Sequence, residues 1–570
     1  MPDTERKEPC LEARYCQKDL MDLVKGNGPW QWSILIMAII CAIPSGSNNF
    51  SMTFIAPNVD HWCGRPPGTN ISVQNWKESS LPPHDKQCSR YKFINISESS
   101  EGDGGNASRE TISCNSWEYD YSIYSSTIVS KWNLVCDREW LISMSKSIFI
   151  AGVFLSSTLF AYLTDKFGRK PLILVSNVLA ITGGISCIFS NSFLMFAISR
   201  FFVAAAVSAT DHAATVLVIE TVSPEYRSPY YCGISLAYLA GALELPLIAW
   251  WLRDWIWIES LLILPSVLLL ATCWLLPESP RWLLSQKKAE EALEILSRAA
   301  KRNELDISDI KLKEMVKNLK EPKDDENVGI RILDLFKSEL RLRTFVMWFI
   351  WCATTFTYYG ISYNTNELAG NPFINFALYF TIEIPATILV LIAIQYKGRR
   401  KSLAAGLTVA GMACLLIYLI PEDLAWMRTS LSLFGKFCIS ATFALLGLFT
   451  FEVFPTNLRN TGYGSASAVA RFGAFLAPFV REIGRSSHPF ITQILFGIVS
   501  ITGGGLALLL PETTNCSVPD TCREAAEISR KRSYNAISEK ICTLNDLKNG
   551  KDTESANSQQ KCSTIASESS

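Results

Sequence analysis

The sequence predicts an all-α membrane protein with twelve transmembrane helices arranged as two six-helix halves. Three observations predict it. Of 570 residues, 49% are hydrophobic. The charged residues gather between long stretches that contain few or none. Basic loops of similar text follow the second and the eighth stretch. A hydrocarbon layer of about 30 Å takes about 20 apolar residues of helix at a rise of about 1.5 Å each. Windows of that kind fall at 31–55, 142–162, 171–190, 194–219, 231–251, 257–276, 344–363, 373–395, 402–420, 427–450, 462–482 and 490–510. Residues 1–30 form an N-terminal segment of mixed charge, and the first window is too long for a signal-peptide core, so no cleavable leader is expected. The first six windows make an N-terminal half over 31–276, and a charged linker over 277–343 joins it to a C-terminal half over 344–510.

Orientation follows from the short loops, since Lys and Arg favour the cytoplasmic side. Lys166, Arg169 and Lys170 follow window two, and Lys397, Arg399, Arg400 and Lys401 follow window eight. Both loops are therefore expected inside, with both termini. The loop 56–141 then falls outside, and its chemistry agrees. It carries glycosylation sequons at Asn70, Asn95 and Asn106, and the cysteines Cys63, Cys88, Cys114 and Cys136, which allow three disulfide pairings. Asn515 also heads a sequon, but faces the cytosol on this topology. The linker includes an amphipathic run from Ala289 and a polar stretch near Glu321. The tail 511–570, rich in Ser, Lys and Glu, reads as disordered and cytoplasmic.

Balanced totals of 53 basic and 53 acidic residues give no electrostatic reason for a nucleic-acid partner. No phosphate-binding loop, dinucleotide fingerprint or metal-ligand spacing is present, and His61, His84, His212 and His488 are scattered. An enzyme, a resident cofactor and an ATP-driven pump are therefore not expected, which leaves coupling to sodium or protons open for a carrier. The partners implied are the lipid bilayer and a small organic ion.

The basic loops have a mechanical reading. Gly168 lets the chain turn between two helices, while Asp165 and Arg169 can exchange partners as the halves rock. The text TDKFGRK at 164–170 has its counterpart in YKGRRK at 396–401. Glu220, Glu225 and Arg227 at the end of window four, and Glu452 with Arg459 after window ten, form matching acidic and basic sites that are expected to act as latches.

These motifs resemble the major facilitator superfamily, and within it the organic ion transporter family of solute carriers. The strings STIVSKWNLVCD (126–137), PESPRWLL (277–284), FEVFPTNLRNTG (451–462) and LPET (510–513) are similar to that family's, in its order. The text YYGISYNTNELAGNPFINF (358–376) with IEIPA (382–386) looks most like the carnitine and organic cation branch. Three positions depart from the pattern: Ala161 in the first basic loop, Gln395 in the second, and the Asp211-His212 pair inside window four. The resemblance implies secondary transport of an organic cation or zwitterion such as carnitine across a plasma membrane, by alternating access.

Ionised groups inside the windows fit that expectation, because each costs about 2.5–3.5 kcal/mol at a helix centre unless it finds a partner or water. Asp211, Glu244, Glu383, Lys436 and Arg471 are such groups. The Arg471 guanidinium offers a planar fork for a carboxylate, and Glu383 supplies the opposite pole. Tyr358, Tyr359, Trp348 and Trp351 can hold an alkylammonium by cation–π contact. Glu383, Lys436 and Arg471 could equally pair among themselves. The resemblance implies that a basic residue at this place in window eleven disfavours a strict cation carrier. Two other functions are weighed: an organic anion exchanger using Lys436 and Arg471 together, and a receptor or adhesion protein that does not transport.

Overall fold

In the computed structural model, residues 20–513 are described, except 67–70, 93–109, 273–275, 306–312, 315–334, 339, 364, 366, 367, 369, 456, 457 and 487–489. Asn70, Asn95, Asn106, Asn515 and nearly all of the 511–570 tail lie outside them.

Twelve long helical segments cover the twelve windows. Spans one to six are Pro29–Phe50, Trp140–Phe167, Arg169–Ile188, Phe193–Thr221, Arg227–Leu252 and Trp255–Thr272. Spans seven to twelve are Arg341–Tyr363, Pro372–Lys397, Arg399–Ile417, Ala425–Val453, Arg459–Ser486 and Phe490–Ala507. Length and apolarity alone pick out nine of them. Span six is apolar but shorter, over Trp255–Ala271, and spans seven and eleven carry more polar and charged residues, so these three stand out less.

Two of the spans are interrupted. Span two passes through one π turn at Ser156–Phe160. Span eight breaks at Ile382, because Pro385 has no N–H to bond the Thr381 carbonyl. The break gives span eight a second helix start, at Glu383.

Close approach of spans one and five depends on glycine. A Cβ on Gly46 would lie 2.0 Å from the Tyr238 carbonyl oxygen, and one on Gly241 would lie 2.1 Å from that of Ile43. The two backbones thus touch where an alanine would force them apart.

The loop after span one is a small disulfide-closed unit. Of the three pairings open to the sequence, the structure selects Cys63–Cys114 and Cys88–Cys136. Two short antiparallel ladders, His61–Cys63 with Trp117–Tyr119 and Ser89–Tyr91 with Thr111–Ser113, sit beside them. Trp76 is fully buried, and its indole donates to the Cys63 carbonyl at 2.7 Å. Burial raises the Glu118 carboxyl, but hydrogen bonds from Arg65 outweigh it and hold the group below its ordinary value.

The amphipathic run in the linker forms the helix Ala289–Arg302, which buries Ala292, Ile295, Leu296 and Ala299. Asn303, just beyond it, accepts from the Trp30 amide at 3.0 Å and donates to the Val24 carbonyl at 2.7 Å. This bond ties the linker to the start of span one.

An ion pair absent from the sequence reading holds the N-terminal half. Arg200 of span four is fully buried and meets Glu259 of span six at 3.0 Å. The same guanidinium reaches the Asn48 carbonyl at 3.0 Å and Ser51 Oγ at 2.7 Å, both in or beside span one, and lies 4.8 Å over the Phe149 ring. One side chain therefore joins four segments. Removing the carboxylate alone strands a buried charge, at a cost of about 3–5 kcal/mol. Glu259→Gln is expected to lower the thermal unfolding temperature of purified protein sharply. Arg200→Met combined with Glu259→Leu should recover most of the loss.

Candidate functional site

The bonds described between the two halves gather at the end that carries the disulfide loop. Ser143 donates to Glu482 at 2.7 Å, Ser147 donates to the Phe475 carbonyl at 2.6 Å, and Arg481 lies 3.9 Å from Glu139. Deeper in, Asn49 of span one donates to Tyr359 of span seven at 3.1 Å, and Tyr363 donates to the Asn49 carbonyl at 3.2 Å. Phe54 and Phe373 stack at 5.5 Å, and Phe50 lies 4.6 Å from Phe380. At the opposite end, Arg169 pairs within the N-terminal half and Arg399 within the C-terminal half.

Below this closure sits the charged cluster of the C-terminal half. Lys436 of span ten is fully buried, and its ammonium lies 2.8 Å from Glu383 and 2.8 Å from Ser362 Oγ. Tyr358 also donates to Glu383, at 2.8 Å. The ammonium stands 3.4 Å from the centroid of the Tyr358 ring and 5.1 Å from that of Phe380. Lys436 thus neutralises Glu383 and occupies the ring face on which a substrate cation would otherwise rest. The break before Glu383 follows from Pro385, so the IEIPA string has a local cause.

Arg471 is arranged differently. It is half-buried, and its guanidinium donates to the Ser467 carbonyl at 3.1 Å and to Ser467 Oγ at 2.9 Å, both on its own helix. Among the described residues no carboxylate lies within ion-pair distance of it. Tyr463, Ser467, Arg471 and Ala474 recur at helical spacing on one stripe of span eleven. Ala474 packs with Phe149, Ile150 and Ala204 of the other half and against Tyr359, so the stripe faces the space between the halves. Arg471 is a fixed cation there, with its charge unmatched.

The remaining expected residues divide. Asp211 of span four is half-buried and accepts a hydrogen bond from Ser45 of span one. Glu244 lies beside Ser47, whose hydroxyl donates to the Ile43 carbonyl at 3.0 Å. Ser47 is two residues from Asn49, about 200° around span one, which places Glu244 away from the Asn49–Tyr359 contact. Tyr359 stacks on Phe50 at 6.0 Å and belongs to the closure. Trp351 is 3% exposed, donates to Thr450 at 2.9 Å, and packs edge-on against Phe443 and Tyr463. It is enclosed among spans seven, ten and eleven.

The latch residues cluster at the linker end as the repeat suggested, with different partners. Gly168 and Gly398 adopt φ +100° and +80°, conformations that favour glycine, and each precedes the next span directly. The exposed amides of span three, at Arg169 and Lys170, donate to Glu278 at 2.9 and 3.1 Å. Those of span nine, at Arg399 and Arg400, donate to Glu512 at 2.9 and 3.4 Å. A carboxylate at a helix start satisfies donors that have no intrahelical partner and complements the helix dipole. That is the physical use of the PESPRWLL and LPET strings.

Arg169 pairs with Asp165 at 3.0 Å and with Glu220 at 2.8 Å. Arg281 donates to the Glu220 carbonyl at 2.9 Å, and the indole of Trp282 donates to that of Asp165 at 2.8 Å. In the C-terminal half Glu452 lies 3.3 Å from Arg399 and accepts from Thr513 at 2.5 Å. Glu220 and Glu452 are thus each held by the arginine that follows a glycine turn, a partner that chain proximity did not suggest.

Glu278, Glu512, Arg200 and Glu259 are polar residues to which the sequence assigned no role, and Arg399 had been read only as part of the basic loop. The repeated Pro-Glu of PES and PET, each directly after the sixth span of its half, was the available signal for the first two. A double-mutant cycle tests the central pair. Lys436→Met and Glu383→Gln are each expected to lower thermal stability, and their combination should cost less than the sum by about 1.5 kcal/mol or more.

Comparison with known proteins agrees with this architecture. The profile of the family described as "Sugar (and other) transporter" matches residues 75–519. The chain is 32% identical to the organic cation transporter protein of Drosophila melanogaster, over 92% of this chain and 97% of that one. It is 33% identical to the human organic cation/carnitine transporter 2, over 87% and 91%. Solute carrier family 22 member 6 of Pseudopleuronectes americanus is 30% identical, over 93% and 98%. Among solved structures, an inward-open form of the xylose transporter of E. coli superposes with a TM-score of 0.58 at 14% identity, covering 86% of this chain and 98% of that one, which shows the fold. The chain belongs to the sugar (and other) transporter family of the major facilitator superfamily, within its organic ion transporters, and is a multi-pass membrane carrier of small organic ions.

Proposed function

We propose that the chain carries a small zwitterion such as carnitine across the plasma membrane, with both termini cytoplasmic, and that Arg471 receives the substrate carboxylate. The observation that carries this reading is the contrast between two cations inside the apolar layer. Lys436 is matched by Glu383 at 2.8 Å, while Arg471 has only Ser467, engaged through Nη1. The remaining Nε–Nη2 edge of a guanidinium facing the space between the halves can bind a carboxylate in two parallel hydrogen bonds. The relatives named for organic cations and carnitine support a substrate that also bears an alkylammonium.

On this reading the loop end is extracellular and the structure is open to the cytoplasm. Asp165, Gly168, Arg169, Glu220, Arg227, Glu452 and Arg459 then belong to the latches that tighten or release as the halves rock. Transport proceeds without catalysis, and coupling to sodium or protons supplies any uphill drive. A second reading, an organic anion exchanger, also draws on the unmatched charge of Arg471.

Labelled carnitine uptake at matched surface expression tests the proposal. Arg471→Ala is expected to raise KM about 10-fold or more, as loss of a charged hydrogen-bonded pair implies. Arg471→Lys should restore part of it. Uptake inhibited by para-aminohippurate but not by carnitine or tetraethylammonium would favour the anion exchanger.

A further inference from the structure

We propose that Asp211 and Tyr231, on the N-terminal half, form the seat for the alkylammonium end of the substrate, facing Arg471 across the space between the halves. The proposal rests on the zwitterion reading above and names the residues that take its positive end.

The placement comes from two helix stripes. Ala204 and Asp211 are seven residues apart on span four, so they share a face and stand about 10 Å apart along it. Ala204 lies against Gly152 of span two and in one packed cluster with Phe149, Ile150 and Ala474 of the opposite half, which puts that face beside the meeting of the halves. Tyr238 and Tyr231 share a face of span five by the same spacing. Tyr238 accepts from Asn49 at 2.6 Å within the closure, while Tyr231, two turns nearer the linker end, is 53% exposed. On span eleven, Arg471 and Ser467 lie one and two turns from Ala474 in the same direction. Asp211, Tyr231 and Arg471 thus occupy neighbouring depths on facing surfaces, just below the contacts that shut the loop end.

The chemistry is complementary. Among the described residues, no lysine or arginine neutralises Asp211. Its carboxylate meets the Ser45 hydroxyl and the adjacent His212, and Tyr231 lies within electrostatic reach on span five. The His212 ring is held by its own helix, with Nδ1 2.6 Å from the Ser208 carbonyl oxygen. Across the gap, Tyr463 stands within electrostatic reach of both Tyr231 and Arg471. Glu383 does not serve this purpose, because Lys436 already holds it and covers the Tyr358 ring. Arg471 on span eleven and Asp211 on span four thus offer a cation and an anion for which, among the described residues, no ion pair forms. A zwitterion completes both, and a tyrosine beside the anion adds a cation–π surface.

The test compares carnitine with its uncharged-tail isostere 3-hydroxy-5,5-dimethylhexanoate, in which a carbon replaces the quaternary nitrogen. Dissociation constants are measured on the purified full chain by thermal-shift titration. The wild-type protein is expected to prefer the zwitterion about 10-fold or more. Asp211→Asn should bind both compounds with similar affinity and keep the wild-type affinity for the isostere, while Asp211→Glu retains the preference. An Asp211→Asn protein that still prefers the zwitterion, or that loses both compounds equally, overturns the inference. So does a wild-type protein that does not distinguish them. If Arg471→Ala weakens neither compound, the zwitterion reading falls instead, and the two failures are separable.

Discussion

An ionised side chain inside an apolar layer must find a counter-charge or water, and this constraint organises both halves of the molecule. In the N-terminal half it is met by Arg200 and Glu259, with Asn48 and Ser51 accepting from the guanidinium as well. In the C-terminal half it is met by Lys436 and Glu383, with Ser362 and Tyr358 completing the group. Each cluster joins helices that would otherwise associate only through packing, since lipid offers no hydrophobic drive between them. Arg471 and Asp211, by contrast, form no ion pair among the described residues. The same rule that makes two clusters structural motivates the proposal that these two charges meet a substrate.

A second economy repeats at the linker end. A glycine in the left-handed region turns the chain between spans two and three and again between spans eight and nine. The amides exposed by each turn are held by a glutamate from just beyond the sixth span of that half, Glu278 or Glu512. Arg169 and Arg399, the first helical residues after the turns, then reach across to Glu220 and Glu452 at the ends of spans four and ten. Three elements of each half therefore meet at one charged knot. The ion pairs of Arg169 and Arg399 each bind elements of a single half, the arrangement that rocking of two rigid halves would use.

The twelve spans were legible in the sequence because bilayer thickness fixes a run length, and no tertiary contact is needed to satisfy helical backbone hydrogen bonds. The glycine turns were legible because two similar strings recur at matching places. Partners were not. Glu452 was grouped with Arg459, seven residues along the chain, and the folded protein gives it Arg399, 53 residues away. Arg200 and Glu259 went unread as a pair because each lies near the end of its window, where a charged residue usually points to water. Glu383, Lys436 and Arg471 were singled out by position alone, and position could not separate a matched charge from an unmatched one.

The sequence by itself determined how many helices cross the membrane, that they form two related halves, and which charges lie within the apolar layer, because these depend on local composition and on the cost of burying charge. Only the tertiary structure decided which charges cancel, which cysteines join, and which stripes face the gap. Those outcomes depend on distances of a few ångströms between helices far apart in the chain, set by packing such as the Gly46 and Gly241 contact that no single segment encodes.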